Sequence, residues 1–284
     1  MKFGMGLPNQ VRDIDPKLIP GWAARAERAG FSSLGTVGRY AYPGLADTVA
    51  LAAAAAVTDR IELISNILIA PSWPASLLAK ELAGIDGLSG GRLTIGLGLG
   101  GRPDDFPVDS LPVRGLGKRM DADLAAYHDI WAGKPVGGGV NPAVPTGTRP
   151  VPLLFGGLSA PAYARMAKWG TGYIGGSLPV GMVAEAFDGA RAAWAEAGRD
   201  GKPRLIAIAY FAVEDGDTGR ANVRDYYSFL DTAYTELVVD NVAVGPDAIA
   251  ATIKSFQDIG ADELVFNPTT SDPDEIERLA ELLF

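Results

Sequence analysis

The sequence predicts one α/β domain built as a (β/α)8 TIM barrel, and three observations carry that expectation. Strand-like apolar runs start at residues 2, 32, 61 and 92, in steps of 30, 29 and 31. Strands that alternate with helices at such a step are successive βα units of a parallel sheet. Eight such runs, each followed by a helical stretch, suit a barrel of eight units in a chain of 284 residues. The runs are rich in Leu, Ile and Gly, as burial on both faces requires. A doubly wound open sheet is the alternative. No linker divides the chain, so the domain is expected to span residues 1–284.

Residues 2–7 (KFGMGL) form the first run. Asp15 and Pro16 suit an N-cap and a first helical position; Leu18, Ile19, Trp22, Ala23, Ala26 and Ala29 follow at helical spacing, and Gly30 stops the helix. Residues 32–37 are the second strand, and 47–57 an alanine-rich helix. Residues 61–69 (IELISNILI) are the clearest strand, between Arg60 and Pro71. Helix 74–86 and strand 92–97 complete the regular part.

The later chain repeats less evenly. Long Gly- and Pro-rich loops are expected at 98–117 and 133–150, as active-site excursions rather than hinges, with a helix at 121–131 between them. Strands follow at 151–155, 172–175, 204–213 and 263–267, with helices at 161–168, 183–196, 218–233 and 247–259. A last helix opens with Asp272-Pro273-Asp274-Glu275, a capping-box signature. Trp22, Trp131 and Trp194 are expected in the core, and His128 on an outer helix as a packing or surface residue.

Composition narrows the chemistry. The chain is 48% hydrophobic, 8% aromatic and 21% charged, an ordinary globular balance. It has no Cys, which excludes thiolate catalysis and cysteine-ligated zinc or iron–sulfur sites. It has one His, which excludes poly-histidine metal sites and argues against a Ser-His-Asp triad. The net charge of −9 disfavours nucleic acid and anionic membranes. No run approaches the roughly 20 apolar residues of a membrane span, and none reads as a targeting signal, so a soluble cytoplasmic protein is expected.

A barrel keeps its function at the C-terminal ends of its strands. Those positions carry mostly Gly, Pro, amides and hydroxyls: Pro8-Asn9-Gln10, Gly38-Arg39-Tyr40, Ala70-Pro71-Ser72, Gly98 to Arg102, Gly156 to Ser159, Gly175-Gly176-Ser177 and Asn267-Pro268. Adjacent acids occur there only at Glu214-Asp215, and no Lys lies at a strand end. Such a set argues against Schiff-base and divalent-metal barrels and favours a bound cofactor that carries the reaction. No catalytic residue and no metal ligand is assigned.

Three glycine clusters matter. Gly96 to Gly101 fits G-x-G-x-x-G, but Arg102-Pro103-Asp104 follows instead of a helix, so a dinucleotide fingerprint is disfavoured. A flat ligand lying against Gly98 is the functional alternative. Gly156-Gly157-Leu158-Ser159 joins a strand to a helix; its amides and the Ser159 hydroxyl suit a phosphate, against a plain turn with Ser159 as N-cap. Gly175 and Gly176 end the next strand and suit the same anion. Trp73 either walls a pocket or packs. Arg39 and Arg102 are either contacts to an anionic substrate or cofactor tail, or solvated loop cations.

Several blocks, spread over nearly the whole chain, resemble the bacterial luciferase-like monooxygenase superfamily of flavin- and deazaflavin-dependent oxidoreductases. They are Ala26 to Leu34 (AERAGFSSL), Thr58 to Leu63 (TDRIEL), Leu78 to Leu82 with Leu88 to Leu93 and Gly96 to Gly98, Phe155 to Ser159, and Gly260 to Leu264. The resemblance implies a luciferase-like barrel, a homodimer, and FMN or coenzyme F420 at the strand ends. It implies a phosphate site at Gly156, Gly157, Ser159, Gly175 and Gly176. It also implies a non-proline cis peptide at Asn66–Ile67, with Ser65 and Asn66 facing the ring. An FMN enzyme of this kind would need a separate flavin reductase.

The chain departs from the sugar-phosphate dehydrogenases of that superfamily, which carry Asp-His where Gly38-Arg39 stands and an acid where Gly101 stands. A small organic substrate is therefore expected, with Arg39, Trp73 and Arg102 beside it. The segment from Asn267 to Pro273 leans toward F420. A flavin-free phosphosugar isomerase-type barrel, with Glu214-Asp215 as base, and a non-catalytic flavin-binding barrel are the other readings.

Overall fold

The computed structural model describes residues 1–106 and 114–284. The loop expected at 98–117 therefore lies partly outside the described residues. The described residues form nine parallel strands: β1 (Lys2–Gly6), β2 (Ser33–Thr36), β3 (Glu62–Ile69), β4 (Leu93–Gly98), β5 (Leu153–Phe155), β6 (Gly172–Ile174), β7 (Arg204–Ala212), β8 (Ala243–Val244) and β9 (Glu263–Pro268). Eight of them close a barrel in the order β1-β2-β3-β4-β5-β6-β7-β9, with β9 pairing back to β1. Closure through the β6–β7, β7–β9 and β9–β1 pairs excludes the open sheet. β8 stands outside this ring. Its two residues pair with Phe211 and Ala212 at the end of β7, and a strand that short leaves no periodic signal.

Helices α1 (Leu18–Ala29), α2 (Asp47–Ala55), α3 (Ala75–Leu88), α4 (Leu116–Trp131), α5 (Ala160–Trp169) and α6 (Val180–Glu196) follow the first six strands. Next come α7 (Gly216–Tyr227), α8 (Thr232–Asp240), α9 (Gly245–Asp258) and α10 (Glu275–Leu283). The single helix expected at 218–233 is thus two. Asp215 caps the first by accepting from the Thr218 amide at 3.0 Å, and Asp231 restarts the second by accepting from the Tyr234 amide at 3.0 Å. Helix α4 begins at Leu116, earlier than expected, behind Gly115 in the left-handed region.

The two faces of β7 show how the core divides. Ile206 and Ile208 point inward and meet Ile64, Leu154, Ile174 and Val265 in the barrel interior. Leu205, Ala207, Ala209 and Phe211 point outward into the main core beneath the helices. Trp22, Trp131 and Trp194 are buried there, and their indole N–H groups donate to Gly6, Ala79 and Asp200 carbonyls at 3.0, 2.9 and 3.1 Å. His128 packs on an outer helix, stacked on Trp169 with ring centroids 5.1 Å apart.

The N-terminal end of the barrel is closed by charge. The Arg204 guanidinium forks onto Glu62 at 2.7 Å through both terminal nitrogens and also bonds Glu263. Ser32 and Ser33 hydroxyls donate to Glu263 at 2.6 Å each, and Thr94 donates to Glu62 at 2.7 Å. Glu263 is 1% exposed, so removing its cation strands a buried carboxylate. Arg204→Ala is expected to cost stability near the lower end of about 3–5 kcal/mol, because Arg204 and Glu62 keep some solvent contact. Urea unfolding at neutral pH measures this; a change within about 0.5 kcal/mol would show that the cluster contributes nothing net.

Candidate active site at the C-terminal mouth of the barrel

Buried side-chain amides, each with one polar atom unpartnered, stand at the barrel mouth. Asn66 and Asn267 are 5% and 1% exposed and face each other, Nδ2 of Asn66 lying 3.5 Å from Oδ1 of Asn267. Glycines on neighbouring strands make their slots. A Cβ on Gly35 would fall 2.2 Å from Asn66 Nδ2, and one on Gly6 would fall 2.6 Å from Asn267 Oδ1. Gln10, beside them, donates to the Pro268 carbonyl at 2.6 Å. Yet Asn66 Oδ1, Asn267 Nδ2 and Gln10 Oε1 are sealed from solvent with no partner. Orphaned buried polar atoms are costly unless a ligand completes them.

The peptide Asn66–Ile67 is cis. Around it the β3–β4 register shifts between Ser65 and Leu68. The Ser65 hydroxyl is fully buried and donates to the Gly96 carbonyl at 2.8 Å. Its donor is thus spent on β4, which leaves only the hydroxyl's acceptor capacity for anything at the mouth. Gly98 also has an occupant. The Ile67 side chain comes within 1.8 Å of where its Cβ would be and touches the Cβ position of Gly156 at 3.4 Å. Ile67 rather than open space lies against these glycines.

The expected phosphate loops lie at the next two strand ends. Gly157, Leu158 and Ser159 are exposed, with Gly157 at φ 118°. Ser159 precedes α5 in an extended conformation, but its hydroxyl makes no capping bond. Gly175 hydrogen-bonds Ile206 through its amide at 2.8 Å, and Gly176 is half-buried. Ser177 Oγ is buried without a partner and lines a 160 Å³ cavity with Leu178, Ile208 and Tyr210. That cavity occupies the gap along β7 where β6 pairing ends at Ile206 and β8 pairing begins at Phe211.

A second cavity of 190 Å³ lies on the other side of the mouth. Strand β2 pairs with β3 only as far as Thr36 and Ser65, whereas β3 runs on to Ile69. The wedge between them is walled by Leu68, Ile69, Trp73, Tyr40 and Arg39. Trp73 therefore does line a pocket. Its carbonyl accepts from Arg119 at 2.8 Å.

Arg39 and Arg102 are not solvated loop cations. The Arg39 side chain is 5% exposed, ion-paired with Asp104, and donates to the Tyr226 carbonyl at 2.9 Å. Arg102 lies 4.3 Å from the centroid of Phe229 and 4.7 Å from that of Tyr226. Asp105 accepts from the Tyr40 and Ala41 amides at 2.9 and 3.2 Å. These contacts tie the segment after β4 to the α7–α8 turn across the mouth. The partners lie 64 or more residues away in sequence, so no local pattern announces them.

Asp47 is an inward-facing acid that the sequence reading did not single out. It opens α2, where an acid ordinarily serves the helix dipole. Instead its carboxylate turns inward: a Cβ on Gly38 would fall 1.7 Å from Oδ2, and Oδ1 is sealed without a hydrogen bond. Burial pushes its pKa up to about 6, with Thr36 and Asn9 partly offsetting that cost. Glu214 and Asp215, the acids the sequence reading noticed, are otherwise used. Hydrogen bonding to Thr218 holds Asp215 below the usual carboxylate range, and Glu214 is exposed beside Arg278 at 3.3 Å.

The sequence profile of the luciferase-like monooxygenase family matches residues 1–276, and the chain belongs to that family. The uncharacterized protein Rv0953c of Mycobacterium tuberculosis is 30% identical over 176 residues, which cover 59% of this chain and 62% of that protein. Rv0940c, also uncharacterized and from the same organism, is 27% identical over 190 residues, or 55% of this chain and 65% of that protein. The match thus spans less than two thirds of either relative. An F420-dependent secondary alcohol dehydrogenase in complex with an F420-acetone adduct superposes with a TM-score of 0.81 at 16% identity, covering 99% of this chain and 98% of the other. The monooxygenase RslO1 from Streptomyces bottropensis gives 0.79 at 23%, covering 100% and 97%. The oxygenating constituent of 3,6-diketocamphane monooxygenase from Pseudomonas putida, in complex with FMN, gives 0.76 at 16%, covering 100% and 96%. At these identities the likeness shows the fold. Among the described residues no helix is long and apolar enough to cross a membrane.

The Asp47 carboxyl has a higher pKa folded than unfolded, so its ionisation opposes folding. That penalty is absent below the ordinary value of 3.8 and complete above about 6. Asp47→Asn is therefore expected to stabilise the protein above pH 6 by about 1–3 kcal/mol, with the gain vanishing below 3.8. Thermal melts across that range check this. An effect independent of pH would remove Asp47 from the sealed position.

Proposed function

We propose that the chain is an oxidoreductase that works through a bound flavin-type cofactor, coenzyme F420 or FMN, on a small organic substrate. The observation that carries this is the set of orphaned amides at the barrel mouth. A flavin or deazaflavin ring edge presents both carbonyl acceptors and an N–H donor. Asn267 Nδ2 can donate to such an edge, while Asn66 Oδ1 and Gln10 Oε1 can accept from it. The free Ser159 hydroxyl and the exposed Gly157 at the start of α5, with Gly176 beside them, suit the phosphate of the same molecule. Ser65 and Gly98 serve that site indirectly, since one fixes β3 to β4 and the other makes room for Ile67.

When bound, such a cofactor supplies hydride transfer or oxygen activation. The protein's part is to orient the ring through Asn66 and Asn267, to shield the mouth with Tyr226 and Phe229 held by Arg39 and Arg102, and to receive substrate beside Trp73. Hydride transfer is the reading the site favours, because a carboxyl able to hold a proton near neutral pH lies in the substrate cavity. An oxygen-using FMN enzyme with a separate flavin reductase is the second reading. We also propose a homodimer, since the outer face of α2 and α3 exposes Val49, Leu77 and Leu88 at 53%, 47% and 65%.

Anaerobic titration of the purified protein with FMN and with coenzyme F420, followed by fluorescence, tests the cofactor. One of the two is expected to bind, and Ser159→Asp is expected to weaken it at least about fivefold, the worth of about 1 kcal/mol of charge repulsion at close range in water. Asp is itself a favourable N-cap, so a purely structural Ser159 would show no loss. Binding of neither cofactor would overturn the proposal and bring the non-flavin barrel forward. For the dimer, light scattering is expected to give twice the chain mass, and Leu77→Glu with Leu88→Glu the mass of one chain. A monomeric wild type would contradict it.

A further inference from the structure

The cavity between β2 and β3 has an apolar wall and one inward carboxyl. Leu68, Ile69 and Trp73 form the wall, with the Tyr40 and Tyr42 side chains at its rim. Asp47 enters from the start of α2 through the space that Gly38 leaves. Three features separate it from an ordinary helix-opening acid. It is not the N-cap of α2, a position that Ala46 holds. Its Oδ1 is sealed and without a partner. Both amide hydrogens of its neighbour Asn9 are already given to the Val37 and Leu45 carbonyls, at 3.0 and 3.1 Å.

We propose that Asp47 is the acid–base group of this site, exchanging a proton with the oxygen of a small neutral alcohol or carbonyl compound held in the cavity between β2 and β3. This rests on the flavin-type reading above. In oxidation the substrate C–H leaves as hydride to the oxidised flavin or deazaflavin, the O–H proton passes to the Asp47 carboxylate, and the C=O π bond forms. Reduction runs the same transfers backwards, with Asp47 protonated. A neutral substrate follows from the surroundings. The cavity's cation, Arg39, is already paired with Asp104 and packed on Phe229, so an anionic substrate would meet Asp47 without a free counter-charge.

The groups that face Asp47 are Thr36 and Asn9 from the barrel, Tyr226 from α7, and Arg39 and Tyr42 across the cavity. Burial raises the Tyr226 hydroxyl well above its usual range. Asp47, with a pKa near 6, is thus the member of this group that changes charge near neutral pH.

Cyclohexanone is a suitable probe, because its oxygen only accepts hydrogen bonds. It can use Asp47 only when the carboxyl is protonated. Calorimetric titration with cyclohexanone, over a pH series spanning 6, is made on wild type and Asp47→Asn, with and without whichever of FMN or F420 binds. Melting curves confirm that the variant is folded. Wild type is expected to bind the ketone about three- to tenfold more tightly below the midpoint than above it, as one hydrogen bond allows, and the midpoint is expected near 6. The variant is expected to show no such step. Ketone binding that ignores pH in the wild type, a step retained in Asp47→Asn, or no ketone binding at any pH would overturn the assignment. A pH step seen while neither cofactor binds would keep Asp47 as the proton group and discard the flavin-type reading.

Discussion

The interior of a closed eight-stranded barrel is narrow, and nearly everything at this site follows from how that space is shared. A side chain pointing inward from one strand must be matched by a missing one on its neighbour. Gly6 yields to Asn267, Gly35 to Asn66, Gly96 and Gly98 to Ile67, and Gly38 to Asp47. The two asparagines stand at the mouth because two glycines let them in. The same matching below the mouth gives an apolar layer of Ile64, Leu154, Ile206 and Val265, which separates the site from the Arg204 cluster at the far end.

From that constraint the division of labour at the mouth is simple. On one side the strands separate early, β2 from β3, and leave a cavity with an apolar wall and a carboxyl. On another, β6 leaves β7 and opens the second cavity beside Ser177. Between them lie amides with unmet hydrogen-bonding capacity. Over the top, two arginines are packed among aromatic rings of the α7–α8 turn. The charge of Arg39 is spent on Asp104, while Arg102 is packed among the rings with one guanidinium nitrogen buried and unpartnered.

Much of this was legible in the sequence where the signal is local. The strand at 61–69 and the even spacing of the first four units follow from apolar runs that no other element could bury. The glycine turns at Gly156 and Gly175 could be placed because each ends a strand and precedes a helix. The family resemblance pointed to Asn66–Ile67, where the peptide is cis. What was hidden depends on distant partners. Arg39 and Arg102 looked like loop cations until Tyr226 and Phe229 came to lie on them. Ser65 looked available as a donor until the Gly96 carbonyl of β4 accepted its hydrogen bond. Asp47 looked like a helix-opening acid, and only the direction of its carboxyl, set by Gly38, distinguishes it. The break at Asp231 escaped notice because the residues on both sides suit a helix.

The most direct measurement is a side-chain amide NMR titration of the protein with FMN and with coenzyme F420, with the Asn66, Asn267 and Gln10 resonances assigned by substitution. Completion of the orphaned amides by a flavin-type ring predicts large, saturable shifts at these three groups, together with the backbone amides of Gly157, Ser159 and Gly176. Saturating binding that leaves the three side chains unmoved, or no binding of either molecule, would contradict it.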